Sequence, residues 1–129
     1  IPVTLLNIEP HHLVIDMCAA QVQDYPDIRV PALKRTKIPE GFVIANDTDS
    51  KRAYMLTHQA RRLNSPALLV TNNDARRIPH LKTDKNNNTL KFDRILCDVP
   101  CSGDGTLRKN TTLWKNFNSH LGHAMHPLQ

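Results

Sequence analysis

The chain is predicted to fold as an α/β domain around a mostly parallel sheet, and three features of the sequence say so. Four short apolar runs recur along it: Leu13-Val14-Ile15, Phe42-Val43-Ile44-Ala45, Leu68-Leu69-Val70 and Ile95-Leu96. They are continuous rather than alternating, which marks strands buried on both faces, as parallel strands are. A stretch with apolar residues at helical spacing separates the second run from the third. Each run ends in an acid: Asp16, Asp47, Asp74 and Asp98. One such junction is ordinary turn chemistry. Four of them line acids along one sheet edge, where open α/β sheets take their ligands.

Taken in order, the elements fit this plan with one exception. After the first strand a helix is expected, but Tyr25-Pro26-Asp27 and Val30-Pro31-Ala32 interrupt it. Each proline removes a helical hydrogen bond and clashes with the preceding turn. No glycine occurs before Gly41, although a nucleotide-type ligand needs close backbone approach after the first strand. The second strand leads into the best helix. Ala53, Leu56, Ala60 and Leu63 share one face, and Lys51, Arg52, His58, Arg61 and Arg62 occupy the rest. Thr48, Asp49 or Ser50 can cap its start, and Asn64 with Pro66 stops it. Asp84 to Thr89, with three consecutive asparagines, reads as a polar loop before the fourth strand. Past Thr106, Arg108, Lys109 and Lys115 surround Trp114 and Phe117. That aromatic pair is expected to anchor a core rather than stack on bases, because aromatics make up only 5% of the chain.

Composition bounds the rest. A chain of 129 residues, 40% of them apolar, with a mean hydropathy of −0.45, suits one small globular domain. No apolar run is long enough to span a membrane as a helix. Ile1-Pro2-Val3-Thr4 has neither a Met start nor a signal pattern, and Met125 to Gln129 closes no element, so the chain reads as the middle of a longer protein. A net charge of +5 and a pI near 9.4 favour polyanionic partners, though solvation of helix faces accounts for a modest excess equally well. Three cysteines, Cys18, Cys97 and Cys101, do not make a disulfide framework. Cys97 is expected inside a strand as a small buried hydrophobe, and no metal site is expected.

The segment Asp98-Val99-Pro100-Cys101-Ser102-Gly103-Asp104-Gly105-Thr106 carries the chemistry. A strand ending in an acid, followed by a Pro-Cys turn loosened by two glycines, presents a carboxylate and a thiol together. This segment resembles the Pro-Cys motif of RNA cytosine-5 methyltransferases of the Sun-domain family, most closely the eukaryotic tRNA-modifying branch. Asp16-Met17-Cys18-Ala19-Ala20 is similar to the start of that family's cofactor motif, which continues Pro-Gly-Ser-Lys-Thr. Pro39 to Asp47, the helix with His58-Gln59-Ala60, Asn73-Asp74-Ala75 and Asp93 to Asn110 are similar as well. The likeness begins near Leu5 and runs to about Trp114, broken from Gln21 to Ile38.

The resemblance implies an incomplete Rossmann-like, S-adenosylmethionine-dependent methyltransferase domain, of which residues 1–129 would be the N-terminal half. It implies S-adenosylmethionine as cofactor, with Cys18, Ala19 and Ala20 bordering its methionine portion. Asp47 would take the ribose hydroxyls and Asp74 the adenine amine; for both, helix or turn capping is the alternative. Asp98 would border the cofactor and hold the edge of the target cytosine. Cytosine C5 is a poor nucleophile, so a thiolate must add at C6 before the methyl group is taken, with the base flipped out of its stack. In the family the attacking cysteine lies in a later Thr-Cys pair, which leaves Cys101 the product-release role. No Thr-Cys pair occurs in this chain, so the chain by itself is expected to be inactive. Arg108 and Lys109 would contact tRNA or another RNA, and a nuclear or nucleolar location is implied. Two rival readings stand beside this one. The first is a non-catalytic RNA-binding remnant using Arg61, Arg62, Arg76, Arg77, Arg108 and Lys109; the second is a pseudogene or gene-model product.

Residues 21–38 are read as a reading-frame slip in preference to a natural insert. Codons for Gln23 to Leu33 exist that, shifted by one base, read Lys-Thr and then a proline-free helical stretch. Sequencing the gene tests this: codons compatible with the shift are expected, and incompatible ones would end the idea.

Overall fold

A computed structural model of the protein describes residues 2–19, 41–63, 65–82 and 88–129. The expected aberrant segment 21–38, its missing cofactor loop and Ala20 lie outside these residues. The chain divides into two compact units, Ile1–Asp98 and Val99–Gln129, each described here by itself.

The first unit opens with a short helix, α1 (Pro2–Leu5), followed by strands β1 (Leu13–Asp16) and β2 (Phe42–Asn46). Helix α2 (Ser50–Leu63), strand β3 (Leu68–Thr71), a 3-10 turn (Ala75–Arg77) and strand β4 (Arg94–Leu96) complete it. The strands form one parallel sheet in the order β3-β2-β1-β4. All four predicted strands and the predicted helix are therefore present. Register pairs Ile95, Ile15, Ile44 and Leu69 in one row across the sheet.

Val14, Val43 and Ala45 point to the opposite face and pack with Val3, Ile8 and Leu56. Alternation along each strand thus commits one face to α1 and α2. The central strands are buried on both faces, as their apolar runs predict. The edge strands are not: Leu69 is 54% exposed and Ile95 50%. Continuous apolar residues predict double burial for all four strands, but a strand at the sheet edge has a neighbour on one side only.

Helix α2 is capped by Asp49, whose Oδ1 accepts from Lys51 N at 2.8 Å and Arg52 N at 3.1 Å. That settles which of the three candidates caps the helix. These two backbone bonds also hold the Asp49 carboxyl below its ordinary pKa. Ala53 and Leu56 are buried, while Lys51, His58, Arg61 and Arg62 are exposed, as the helical periodicity predicts. Lys82 and Thr89 form an antiparallel bridge before β4.

The amino end of the sheet is closed by the turn before β1. His12 is buried, and its Nδ1 accepts from Glu9 N at 3.0 Å. His12 N in turn donates to Glu9 O at 3.0 Å. Glu9, His11 and His12 bring possible ligand atoms within 4.8 Å of one another, but the His12 bond marks a locked turn. Arg94 Nε donates to Leu6 O at 2.7 Å and Leu13 N to Asp93 Oδ2 at 2.8 Å, stitching this turn to β4. Gly41 N donates to Pro10 O at 3.1 Å. A Cβ at Gly41 would stand 2.8 Å from Pro10 O and closer still to the main chain of His11 and His12.

The second unit carries a 3-10 turn (Asp104–Thr106) and two short helices, α3 (Thr111–Asn116) and α4 (Ser119–Met125). Asn110 and Asn118 cap the helices through Thr112 N and His120 N. Neither helix contains a buried residue. Trp114 is 68% exposed and Phe117 is also exposed, so the expectation that they anchor a core is not met in this unit. Helices of six and seven residues with no buried face give a large side chain nothing to pack against within the unit. No helix among the described residues is long and apolar enough to cross a membrane.

Replacing Gly41 by alanine forces backbone atoms apart rather than a flexible side chain. The G41A variant is expected to lose about 1–3 kcal/mol of stability, the usual cost of overpacking. Urea denaturation checks this, and an unchanged midpoint contradicts the close approach.

Candidate functional site

The strand order creates a switch point. Chain order runs from β1 outward through β2 to β3, and β4 then returns to the other side of β1. In open α/β sheets the ligand crevice lies outside the carboxyl ends of the strands at such a point. The residues leaving those ends are Met17 to Ala19, Asp47, Asn72 to Asp74, and Cys97 to Asp98. Four of the six cofactor residues expected from sequence (Cys18, Ala19, Asp47 and Asp74) therefore follow neighbouring strands, and Asp98 follows the fourth. Ala20 falls outside the described residues.

These loops are tied to each other by main-chain bonds that extend the sheet by a residue. Met17 N donates to Leu96 O at 3.0 Å, Ala19 N to Asn46 O at 2.7 Å and Asp47 N to Thr71 O at 3.1 Å. Asn72 Nδ2 adds a bond to Asp47 O at 2.6 Å. Asp16, buried at the end of β1, accepts from Cys18 N at 3.1 Å.

Asp47 is 1% exposed. Its Oδ1 accepts from Asp49 N at 2.7 Å and pairs with Arg52 Nη2 at 3.1 Å. Its Oδ2 is buried with no hydrogen-bond partner among the described residues, and so is Arg52 Nε. A buried carboxylate oxygen left unpaired costs free energy that a donor from a ligand would recover. This donor set fits a vicinal diol such as a ribose, which brings hydroxyl donors and needs an acceptor.

Asp74 occupies a different state. Its carboxylate caps the Ala75–Arg77 turn through Arg76 N at 3.0 Å. The Arg76 side chain grips it through Nε at 3.0 and 3.2 Å and Nη2 at 2.6 Å. The capping alternative is thus realised at Asp74. The Arg76 bonds hold this carboxyl at about 2, so it is a pure acceptor near neutral pH.

The cysteines divide by environment. Cys18 is half-buried in the turn after β1. Burial first, then the charges of Asp47 and Asp16, push its thiol up, against the opposing pull of Arg52. It is a protonated thiol at neutral pH and a poor nucleophile. Cys97 was expected inside a strand and buried; it is exposed, one residue past β4, with Sγ 3.3 Å from Met17 Sδ. Neither cysteine lies in a strand interior. Strand β4 ends at Leu96, whose carbonyl accepts from Met17 N, and Cys97 is the first residue beyond it.

Asp98 is exposed at the end of the first unit. Cys101, Arg108 and Lys109 belong to the second unit and are exposed there. In that unit Gly103 adopts φ 77°, which favours glycine. The turn is locked by Ser102 Oγ donating to Asp104 Oδ1 at 2.6 Å and Thr106 Oγ1 to Gly103 O at 2.6 Å. The serine bond also lowers the Asp104 pKa. A cavity of about 490 Å³ beside Ala60, Arg61, Pro66 and Leu68 lies where α2 ends and β3 begins, away from the carboxyl strand ends.

Sequence reasoning missed Asn46 and the pairing role of Arg52. Asn46 closes an apolar run and reads only as a terminator, yet its side chain meets both neighbouring strand ends. The available signal was a polar amide placed between a buried strand and an acid.

The Asp74 carboxyl gains its low pKa by folding, so it contributes stability above the ordinary value of about 3.9 that is lost as pH falls towards about 2. An NMR titration is expected to place its midpoint near 2. In an R76A variant the midpoint is expected to rise towards the ordinary value; an unmoved midpoint contradicts the pairing.

Comparison with known proteins agrees with this geometry. The family model described as 16S rRNA methyltransferase RsmB/F matches residues 3–127. The chain is 49% identical, over its full length, to the multisite-specific tRNA:(cytosine-C(5))-methyltransferase of Saccharomyces cerevisiae, of which it covers 19%. It is 50% identical, again over its full length, to the tRNA (cytosine(34)-C(5))-methyltransferase of Drosophila melanogaster, of which it covers 18%. The chain thus spans about a fifth of the length of these curated relatives. Among solved structures, the crystal structure of PH0851 superposes with a TM-score of 0.77 at 23% identity, over 98% of this chain and 26% of that one, a likeness of fold. With a parallel sheet whose order reverses at β1 and a family match along nearly all its length, the chain belongs to the RsmB/F-type Sun-domain methyltransferase family.

Proposed function

We propose that this chain is the amino-terminal half of the catalytic domain of a tRNA (cytosine-5-)-methyltransferase that uses S-adenosylmethionine. The observation that carries the reading is the buried Oδ2 of Asp47, unpartnered among the described residues, beside the Cys18-Ala19 turn. The names of the yeast and fly relatives supply the substrate class, cytosine in tRNA.

In this reading Asp47 Oδ2 accepts from the ribose hydroxyls while Arg52 and Asp49 N fix the orientation of the carboxylate. The Cys18-Ala19 main chain, and Ala20 after it, border the methionine portion. Asp74 presents acceptor oxygens towards the adenine amine and shares them with Arg76. When bound, S-adenosylmethionine supplies an electrophilic methyl group. Asp98 holds the N3/N4 edge of the flipped cytosine. Cys101 assists release of the methylated base. Cys18, held as a thiol, takes no part in attack on C6. Arg108 and Lys109 contact RNA phosphates, an attraction that salt weakens. The site of action is the nucleus or nucleolus. The 129-residue chain alone does not transfer methyl groups, because it contains no Thr-Cys pair.

Calorimetric titration with S-adenosylmethionine tests the reading, on the chain itself and on a version with Pro-Gly-Ser-Lys-Thr inserted after Ala20. The version with the loop is expected to bind. In it D47A is expected to weaken binding about 10-fold or more, the scale of a hydrogen bond to a charged group. A folded, loop-restored chain that fails to bind the cofactor yet binds tRNA in a salt-dependent way overturns this reading in favour of an RNA-binding remnant.

A further inference from the structure

Asn46 is 1% exposed and offers no surface to a ligand, yet its amide uses its full hydrogen-bonding capacity. Nδ2 donates to Met17 O at 3.0 Å and to Asn73 O at 2.9 Å. Oδ1 accepts from Thr71 Oγ1 at 2.9 Å and from Asn73 N at 3.1 Å. The partners fix which end of the amide is which, since the two carbonyls need donors and Asn73 N needs an acceptor.

Those four bonds reach one residue before Cys18 and one residue before Asp74. The main chain of Asn46 adds the bond from Ala19 N, and the next residue is Asp47. One buried residue thus ties together the loops after β1, β2 and β3, three of the four that carry the proposed cofactor residues, and its side chain offers no surface to the ligand. A fully satisfied polar group in a low-dielectric interior has one geometry and resists displacement.

We propose that Asn46 is the positioning residue of the cofactor site, setting the separation of the β1, β2 and β3 loops. This rests on the reading of the crevice as an S-adenosylmethionine site. Oxygen or nitrogen at the right place is what matters, so no substitution preserves all four bonds. Aspartate would turn both donors into an acceptor facing two carbonyls. Thr71 offers a gentler test, because Thr71→Val removes one bond at constant shape and Thr71→Ser keeps it.

Two measurements test the proposal together. Amide hydrogen exchange on the chain is expected to show Asn46→Ala speeding exchange at Ala19 and Asp47 at least about 10-fold, with the β1–β2 ladder amides unchanged. Their own bonds are to main-chain atoms, so only loosening of the loops moves them. S-adenosylmethionine affinity of the loop-restored chain is expected to fall about 10-fold or more in Asn46→Ala and about 2- to 10-fold in Thr71→Val. Thr71→Ser is expected to retain the parent affinity. Faster exchange confined to Asn73, or equal affinities in Thr71→Val and Thr71→Ser, overturns the proposal. If Asn46→Ala does not fold, the Thr71 pair decides alone. If the parent does not bind the cofactor, the reading of the crevice has failed, and the exchange of Ala19 and Asp47 still judges whether Asn46 sets the loops.

Discussion

The carboxyl end of β2 is the point on which the site depends. Strands β1 and β2 run side by side in register, Leu13 beside Phe42 and Asp16 beside Ala45. One face of the pair packs on α1, α2 and Ile8, and the other carries the buried Ile15 and Ile44. At its end the chain must stop being a sheet and begin presenting side chains, and every main-chain group freed there needs a partner. Asn46 supplies much of that demand: its amide and carbonyl satisfy Met17, Ala19, Thr71 and Asn73 at once. The acid that follows it is therefore delivered at a fixed depth, buried and with one oxygen unpaired among the described residues.

Packing makes that rigidity available. Val14, Val43 and Ala45 meet Leu56 of α2 and Val3 and Ile8 of the leading segment, so the central strands are clamped by chain on both sides of them in sequence. Gly41 lets the start of β2 lie against the Pro10–His12 turn. The edge strands are held less fully, with Leu69 and Ile95 half exposed. Burial thus decreases from the middle of the sheet outward, and the buried acids Asp16 and Asp47 leave its middle. Asp74 and Asp98, leaving the edges, are more exposed. An interior acceptor is a stronger recognition element than a solvated one, because water does not compete for it.

Much of the fold was legible because two periodicities are local properties. Continuous apolar runs gave the four strands, and Ala53, Leu56 and Ala60 gave the face of α2. The acids after each run gave the edge that carries the site. What was illegible depends on neighbours rather than on local pattern. Sheet order decides that Leu69 and Ile95 are exposed while Ile15 and Ile44 of the same row are buried, and nothing in their own segments distinguishes an edge from a centre. Cys97 looked like strand interior because its apolar neighbours did; the turn at Met17 ends the ladder first. Trp114 and Phe117 looked like core because they are large and apolar, but burial requires surrounding chain. Asn46 escaped notice because an amide's role is written in partners 27 and 29 residues away.

The central claim is that a buried amide fixes three loops so that Asp47 meets a ribose. An experimental structure of the chain bound to S-adenosylhomocysteine tests it most directly. The account predicts ribose hydroxyls on Asp47 Oδ2, with the four bonds of Asn46 still in place beneath. A nucleoside seated elsewhere, or an Asn46 amide turned outward to contact it, would contradict the account.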